Sequence, residues 1–396
     1  MGHHGSVRAT DAGNDARPRL WAAQRVPVAV LLAGLAMLAG CDPGAGTGVA
    51  GLAPLSARPA PAARASVAHR VALPARPAWS APRAATGTAV PPRLALRNPS
   101  IGYIRVAVAT VWRSPESPRP VDAPALTAPV AIRRWLAAMT LDQRRDLAGR
   151  TDTQALLGDP VLITGLRGGW AEIRVLGQPT PLDNRGYPGW VPLVQLTLRP
   201  PQAAHWDAVV VAPTLWLSAP RTGTALAEIS FGTRLPLLAR AGRWLTVALP
   251  DGGSARLPTA GAVVVRPGQP GLADDPTDLV RAARAFRGLP YLWAGTSGFG
   301  FDCSGLSYLD YRVHGVRIAR DADAQSAGGQ PVGAGSLRPG DLLFYASGGL
   351  VHHVALYAGR GLLIDSPDTG GSVEVVPLSS APYAEQYWGA RRYPPP

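Results

Sequence analysis

Lysine is absent from this chain of 396 residues, so all 39 basic side chains other than histidine are arginine. Against 26 Asp and Glu the formal net charge is +13, which by itself points to a polyanionic partner. The distribution argues against nucleic acid as the main partner. No Asp or Glu occurs between Asp42 and Glu116, while nine arginines do, in a stretch otherwise built from Ala, Pro and Gly. Arginine used everywhere in place of lysine is a compositional habit, not a binding face; what it leaves is a weak attraction of that stretch to acidic lipid or polymer. Cysteine is nearly absent too: Cys41 and Cys303 are the only two, so at most one disulfide could form. Long apolar runs are also missing. The longest, Val26 to Gly40, covers 15 positions and is broken by Pro27, short of the ~20 residues that span a bilayer comfortably.

That run follows Arg17, Arg19 and Arg25, the layout of an export signal, and it ends in Leu38-Ala39-Gly40-Cys41. These four residues resemble the bacterial lipoprotein box. The resemblance implies that residues 1–41 hold a signal peptide, that Cys41 becomes the acylated first residue, and that the protein is anchored on the outer side of the cytoplasmic membrane, facing the wall. Cys41 is then consumed, and Cys303 is left free. Residues 42–98 show no periodicity and too little apolar surface to offset their ordering entropy, so they read as a tether, extended where proline is dense.

Folded sequence begins near Ile101. Tyr103 to Val111 alternates as a strand, and Ile132, Trp135, Leu136 and Met139 then fall on one helical face. Thr140 and Gln143 form a capping-box pattern for a second short helix reaching Leu147. Strand signals resume at Pro160 to Gly165, Trp170 to Val175 and Gly189 to Leu196. A weaker copy follows: Thr214-Leu215-Trp216-Leu217-Ser218 echoes Thr110-Val111-Trp112-Arg113-Ser114, and Gly242-Arg243-Trp244 echoes Gly169-Trp170-Ala171. Short strands punctuated by glycine suggest small β-barrels, and the pair resembles tandem bacterial SH3-like barrels, residues 99–200 with a helical insertion and residues 201–268.

From residue 269 to 396 the pattern changes to α+β. Asp275, Pro276 and Thr277 suit the start of a helix with Leu279, Ala282, Ala283 and Phe286 on one face. Asp302 and Ser304 are capping types, and Leu306, Leu309 and Val313 recur at helical spacing to Gly315, so Cys303 falls at a helix N-terminus. Unpaired N–H groups and the positive end of the dipole there stabilise a thiolate. Leu342 to Tyr345, His352 to Tyr357 and Leu362 to Asp365 read as strands, the last two joined at Gly359-Arg360-Gly361. A cysteine at a helix N-terminus with a histidine on a following strand is the papain-like arrangement. A thiol nucleophile needs a base and a group to orient that base, which His353 or His352 and Asp365 could supply. Strand alternation alone does not choose between the two histidines. No metal-ligand spacing occurs, since these histidines are adjacent and no second cysteine is available, and no cofactor is called for.

Four motifs in order, Pro290 to Gly295, Asp302-Cys303-Ser304-Gly305, Pro339-Gly340-Asp341-Leu342 and His353-Val354-Ala355-Leu356-Tyr357, together resemble the NlpC-type cell-wall cysteine peptidase family. The resemblance implies Cys303 as nucleophile, His353 as base and Asp365 in a third position that is most often His in the family. Gln178-Pro179 and Arg185-Gly186-Tyr187-Pro188-Gly189-Trp190 resemble the γ-D-glutamyl-L-diamino acid endopeptidases, which carry bacterial SH3 domains before the peptidase. That likeness implies Tyr187 and Asp159 as contacts to the free amino group of an L-alanine, with Tyr291, Asp302, Ser304 and Asp321 lining the cleft. The expected partner is a peptidoglycan stem peptide, the expected state a monomer. The alternatives are a wall-binding lipoprotein with a silent peptidase domain, or an enzyme acting on intact crosslinked wall.

Overall fold

The computed structural model describes residues 99–394. The export signal, Cys41 and the tether lie outside the described residues.

The first part holds strands Ser100–Ile104 (β1) and Val108–Trp112 (β2), helices Ile132–Ala138 (α1) and Leu141–Arg145 (α2), and strands Thr151–Leu156 (β3), Pro160–Arg167 (β4), Trp170–Val175 (β5), Tyr187–Pro192 (β6) and Leu196–Thr197 (β7). They form one sheet in the order β3-β2-β6-β5-β4-β1-β7. Alternation along Tyr103 to Val111 predicts one strand, but the chain breaks it at Arg105 to Ala107. β1 pairs with β4 and β7 while β2 pairs with β3 and β6, so the two halves serve different edges of the same sheet. The helices behave as their local signals require. Ile132, Trp135 and Met139 are buried, and the Thr140 hydroxyl accepts from Gln143 N–H while the Gln143 side chain accepts from Thr140 N–H.

The second part contains Asp207–Val210 (β8), Thr214–Ser218 (β9), Ala225–Ser230 (β10), Arg234–Ala241 (β11), Trp244–Ala248 (β12), Ser254–Pro258 (β13) and Ala262–Val265 (β14). Their order, β10-β9-β13-β12-β11-β8-β14, repeats that of the first sheet strand for strand. Each sheet folds over its own apolar cluster, with Val111, Ile173 and Val191 in the first and Leu217, Leu245 and Leu257 in the second.

The third part comprises helix Pro276–Arg284 (α3), strands Thr296–Ser297 (β15) and Gly300–Phe301 (β16), helices Cys303–Val313 (α4) and Ala322–Ala327 (α5), strands Gln330–Val332 (β17), Leu342–Ser347 (β18), Leu350–Gly359 (β19), Leu362–Asp365 (β20) and Glu374–Pro377 (β21), helix Tyr383–Gln386 (α6) and strand Tyr387–Arg392 (β22). Six strands pair antiparallel in the order β17-β22-β18-β19-β20-β21. Helix α3 starts where its cap predicts, the Asp275 carboxylate accepting from Thr277 N–H. Val354, Leu356 and Phe344 face the cluster beneath α3 and α4, while Leu343, Ala355 and Leu363 belong to a smaller cluster.

These parts share one core. Trp112 and Leu156 of the first sheet and Val209 and Phe231 of the second join Phe286, Phe301 and Leu309 of the third in a single buried cluster. Phe231 meets Phe286 edge-on at 5.3 Å, and Phe286 meets Phe301 at 4.8 Å. Gly298 approaches so closely that a Cβ there would stand 1.9 Å from the Pro213 carbonyl oxygen. The cleft therefore rests on apolar packing, and its walls can come from more than one part.

Candidate active site

Helix α4 is capped by Asp302, whose carboxylate accepts from Gly305 N–H at 2.6 Å, so Cys303 is the first helical residue. The cap depends on glycine. A Cβ on residue 305 would lie 2.0 Å from the Gly295 carbonyl oxygen and 2.8 Å from the capping oxygen. Cys303 is partly exposed and the only free thiol among the described residues.

On β19 His353 stands opposite Tyr345 of β18. Pairing then jumps to Val351 opposite Ala346, which leaves His352 as the extra residue of a bulge. Both histidines consequently line the cleft, which simple alternation would have forbidden. The His353 Nε2 is 2.9 Å from Asp365 Oδ2, leaving Nδ1 as the ring nitrogen for the thiol side. Burial pulls the imidazolium down, but the Asp365 carboxylate and the Cys303 sulfur outweigh it and hold His353 well above the ordinary histidine range. Asp365 is fully buried and also accepts from the Tyr383 hydroxyl at 2.5 Å. Nothing in the sequence pattern points to Tyr383; α6 brings it there from 18 residues downstream.

The cleft has a volume of about 780 Å³. Cys303, His353, Asp365, Tyr187, Tyr291 and Asp321 all line it, as do Asp302 and Ser304. The Tyr187 hydroxyl on β6 donates to Asp321 at 2.9 Å, which joins the first sheet to the start of α5. Burial raises Asp321 to about 6, opposed by the neighbouring Arg320 guanidinium and the Tyr187 hydrogen bond. Arg320 is 1 % exposed. It donates to Asp302 Oδ2 at 2.7 Å, to Ser304 Oγ at 3.0 Å and, across to β3, to Thr153 Oγ1 at 2.9 Å.

Asp159 is the exception. Its carboxylate accepts from Leu156 N–H at 2.8 Å and from Arg312 at 2.5 and 3.2 Å, in the turn after β3 and away from the cleft. Both of its oxygens are therefore taken, Oδ1 by Arg312 and Oδ2 by Arg312 and the Leu156 N–H, which leaves no open face for an ammonium ion. Asp152 stands in the cleft in its place. It lies on β3, Arg113 engages only its Oδ1, at 3.2 and 3.3 Å, and burial raises its carboxyl despite that guanidinium. The two acids are seven positions apart: β3, held to β15 through Thr153 to Thr296 and Gln154 to Ser297, carries Asp152 into the cleft, while Arg312 of α4 holds Asp159 outside it.

A cysteine at a helix N-terminus, an imidazolium beside it and a carboxylate behind the imidazole form the machinery of a thiol acyl transfer. Comparison with known proteins agrees. Residues 288–392 match the NlpC/P60 family, and residues 210–264 match the YKFC SH3b2 domain. A γ-D-glutamyl-L-lysine dipeptidyl-peptidase of Bacillus cereus is 42% identical over 313 residues, covering 76% of this chain and 92% of the relative. The enzyme of the same name from Bacillus subtilis is 39% identical over 72% of this chain and 96% of its own length. The crystal structure of an NlpC/P60 family protein from Bacillus cereus superposes with a TM-score of 0.70 at 41% identity, covering 74% of this chain and 99% of that one. The chain is a cysteine peptidase of the NlpC/P60 family that carries an SH3b domain.

Proposed function

We propose that this peptidase hydrolyses the bond between γ-D-glutamate and an L-diamino acid in peptidoglycan stem peptides whose L-alanine amino group is free. The observation that carries the reading is the union, in one cleft, of the Cys303, His353 and Asp365 cluster with an acidic end made by Asp152, Asp321 and Tyr187. Cys303 attacks the side-chain carbonyl of D-glutamate, and backbone N–H at the start of α4 receives the oxyanion. His353, held protonated by Asp365, gives its proton to the leaving amine, and water then resolves the thioester. The carboxylates at the far end meet the alanine ammonium in a shielded, charge-assisted contact, so peptides blocked by a lactyl link to glycan are rejected. The relatives named for γ-D-glutamyl-L-lysine cleavage support the same bond.

The repeated strand order supports reading the first two parts as SH3-like barrels over residues 99–200 and 201–268, the first with α1 and α2 inserted, ahead of a papain-like domain over 269–396. Leu38 to Cys41 favours a lipid-anchored protein facing the wall, a point checked by palmitate labelling of Cys41 and its loss in Cys41→Ala.

The experiment is cleavage of L-alanyl-γ-D-glutamyl-L-lysine by the purified protein. Dipeptide release is expected, none with Cys303→Ala, and almost none when the alanine is N-acetylated. Equal turnover of the acetylated peptide would remove the role given to Asp152, Asp321 and Tyr187.

A further inference from the structure

The cleft reverses the sign of the molecule. The chain carries +13, yet seven carboxylates line the cleft against a single arginine, Arg113. Most of those acids are accounted for. Asp152 and Asp321 belong to the ammonium end, Asp302 is held by Arg320, and Asp365 serves His353 and Tyr383. Glu374 is not.

Glu374 begins β21, directly opposite Asp365 in the ladder, so its Cα lies about 5 Å beyond that of the catalytic carboxylate. The Tyr383 hydroxyl stands between them, 2.5 Å from Asp365 and 3.4 Å from Glu374 Oε1. Among the described residues Glu374 enters no ion pair. The same wall holds a second unmet polar group. Tyr345, 1 % exposed and packed 5.7 Å from the His353 ring, has a hydroxyl without a hydrogen-bond partner.

The direction of the reaction says what comes here. His353 protonates the leaving amine, so the departing residue lies on the His353 and Asp365 side of the thiol. Glu374, one strand beyond Asp365 and lining the cleft, is the acid that a side chain leaving in that direction would meet. The one arginine of the cleft is spent on Asp152 at the other end. A second carboxylate on the leaving residue would therefore face Glu374 and Asp365 with no guanidinium to receive it.

Resting on the endopeptidase reading above, we propose that Glu374 recognises the side-chain ammonium of the leaving diamino acid, and that the enzyme thereby prefers lysine to diaminopimelate and to uncharged residues. The test compares kcat/KM of the native protein and Glu374→Gln on three peptides that differ only in the last residue: L-lysine, L-norleucine and meso-diaminopimelate. In the native protein lysine is expected to exceed norleucine roughly tenfold, as for one charge-assisted contact, and to exceed diaminopimelate as well. In Glu374→Gln both ratios collapse toward one. A ratio cancels any general effect on Asp365 through Tyr383, and Glu374→Asp, which keeps the charge, should retain part of the preference. Equal rates for lysine and norleucine in the native protein would overturn the Glu374 contact while leaving the endopeptidase activity standing. Failure to cut any of the three would overturn both.

Discussion

Asp321 is a cleft carboxyl whose charge changes near pH 6. Its carboxyl sits near 6 because burial penalises the anion more than Arg320 and Tyr187 relieve it. A folded-state value above the ordinary carboxylate range means that the folded protein binds this proton more tightly than the unfolded chain does. Asp321 therefore subtracts stability as pH rises from about 4 to about 6. Over the same interval it gains the charge that meets a substrate ammonium. We expect 1/KM for the free-amine tripeptide to rise through pH 6, with that limb flattened in Asp321→Asn, while the thermal midpoint of Asp321→Asn loses less than that of the native protein between pH 4 and 7. Kinetics and melting curves across that range check both. On the alkaline side kcat/KM should fall once His353 finally loses the proton that Asp365 and Cys303 hold on it.

At the scale of elements, the features legible in the sequence are the local ones. Asp302, Thr140 with Gln143, and Asp275 cap the helices they precede because a cap is settled within four residues. The break at Arg105 to Ala107 and the bulge at His352 were hidden, since each depends on which strands pair, and strand alternation carries no record of the partner. The exchange of Asp159 for Asp152 has the same cause: two acids near one strand look alike until Arg312 arrives from α4 to claim one of them. Tyr383 was hidden because its place beside Asp365 is made by a return of the chain, not by a motif. Helix α4 also shows how little room its cap allows. Gly305→Ala puts a methyl group against the Gly295 carbonyl and the Asp302 oxygen, and should cost about 3 kcal/mol in urea unfolding along with most of the activity.

For the molecule as a whole, the question is how the first sheet bears on a thiol it does not carry. The connection runs through Arg320, which holds Asp302 and Ser304 on one side and Thr153 on the other. Thr153 also donates to Gln178, and Gln154 receives Thr296 N–H and the Ser297 hydroxyl, so β3 is keyed to the segment just before α4. Thr153→Val leaves a buried guanidinium short of one acceptor, at roughly 1–3 kcal/mol. The ammonium end, built on β3 and β6, should then lose its register with the nucleophile. We expect KM for the free-amine peptide to rise several-fold while the rate of Cys303 alkylation by iodoacetamide stays near native. A parallel loss of alkylation would mean instead that α4 itself had moved.

The order of the six-stranded sheet carries a consequence for how such a chain is made. Strand β22 lies between β17 and β18, beside the strand that positions His353, although it is the last strand in the chain. A polypeptide synthesised from its N-terminus has both glycine-rich sheets and the cysteine helix in hand before Tyr387 to Arg392 exists. Until that segment inserts, β18 is paired with β19 on one side and open on the other. The sheet that carries His353 is thus complete only once Tyr387 to Arg392 has paired with β18.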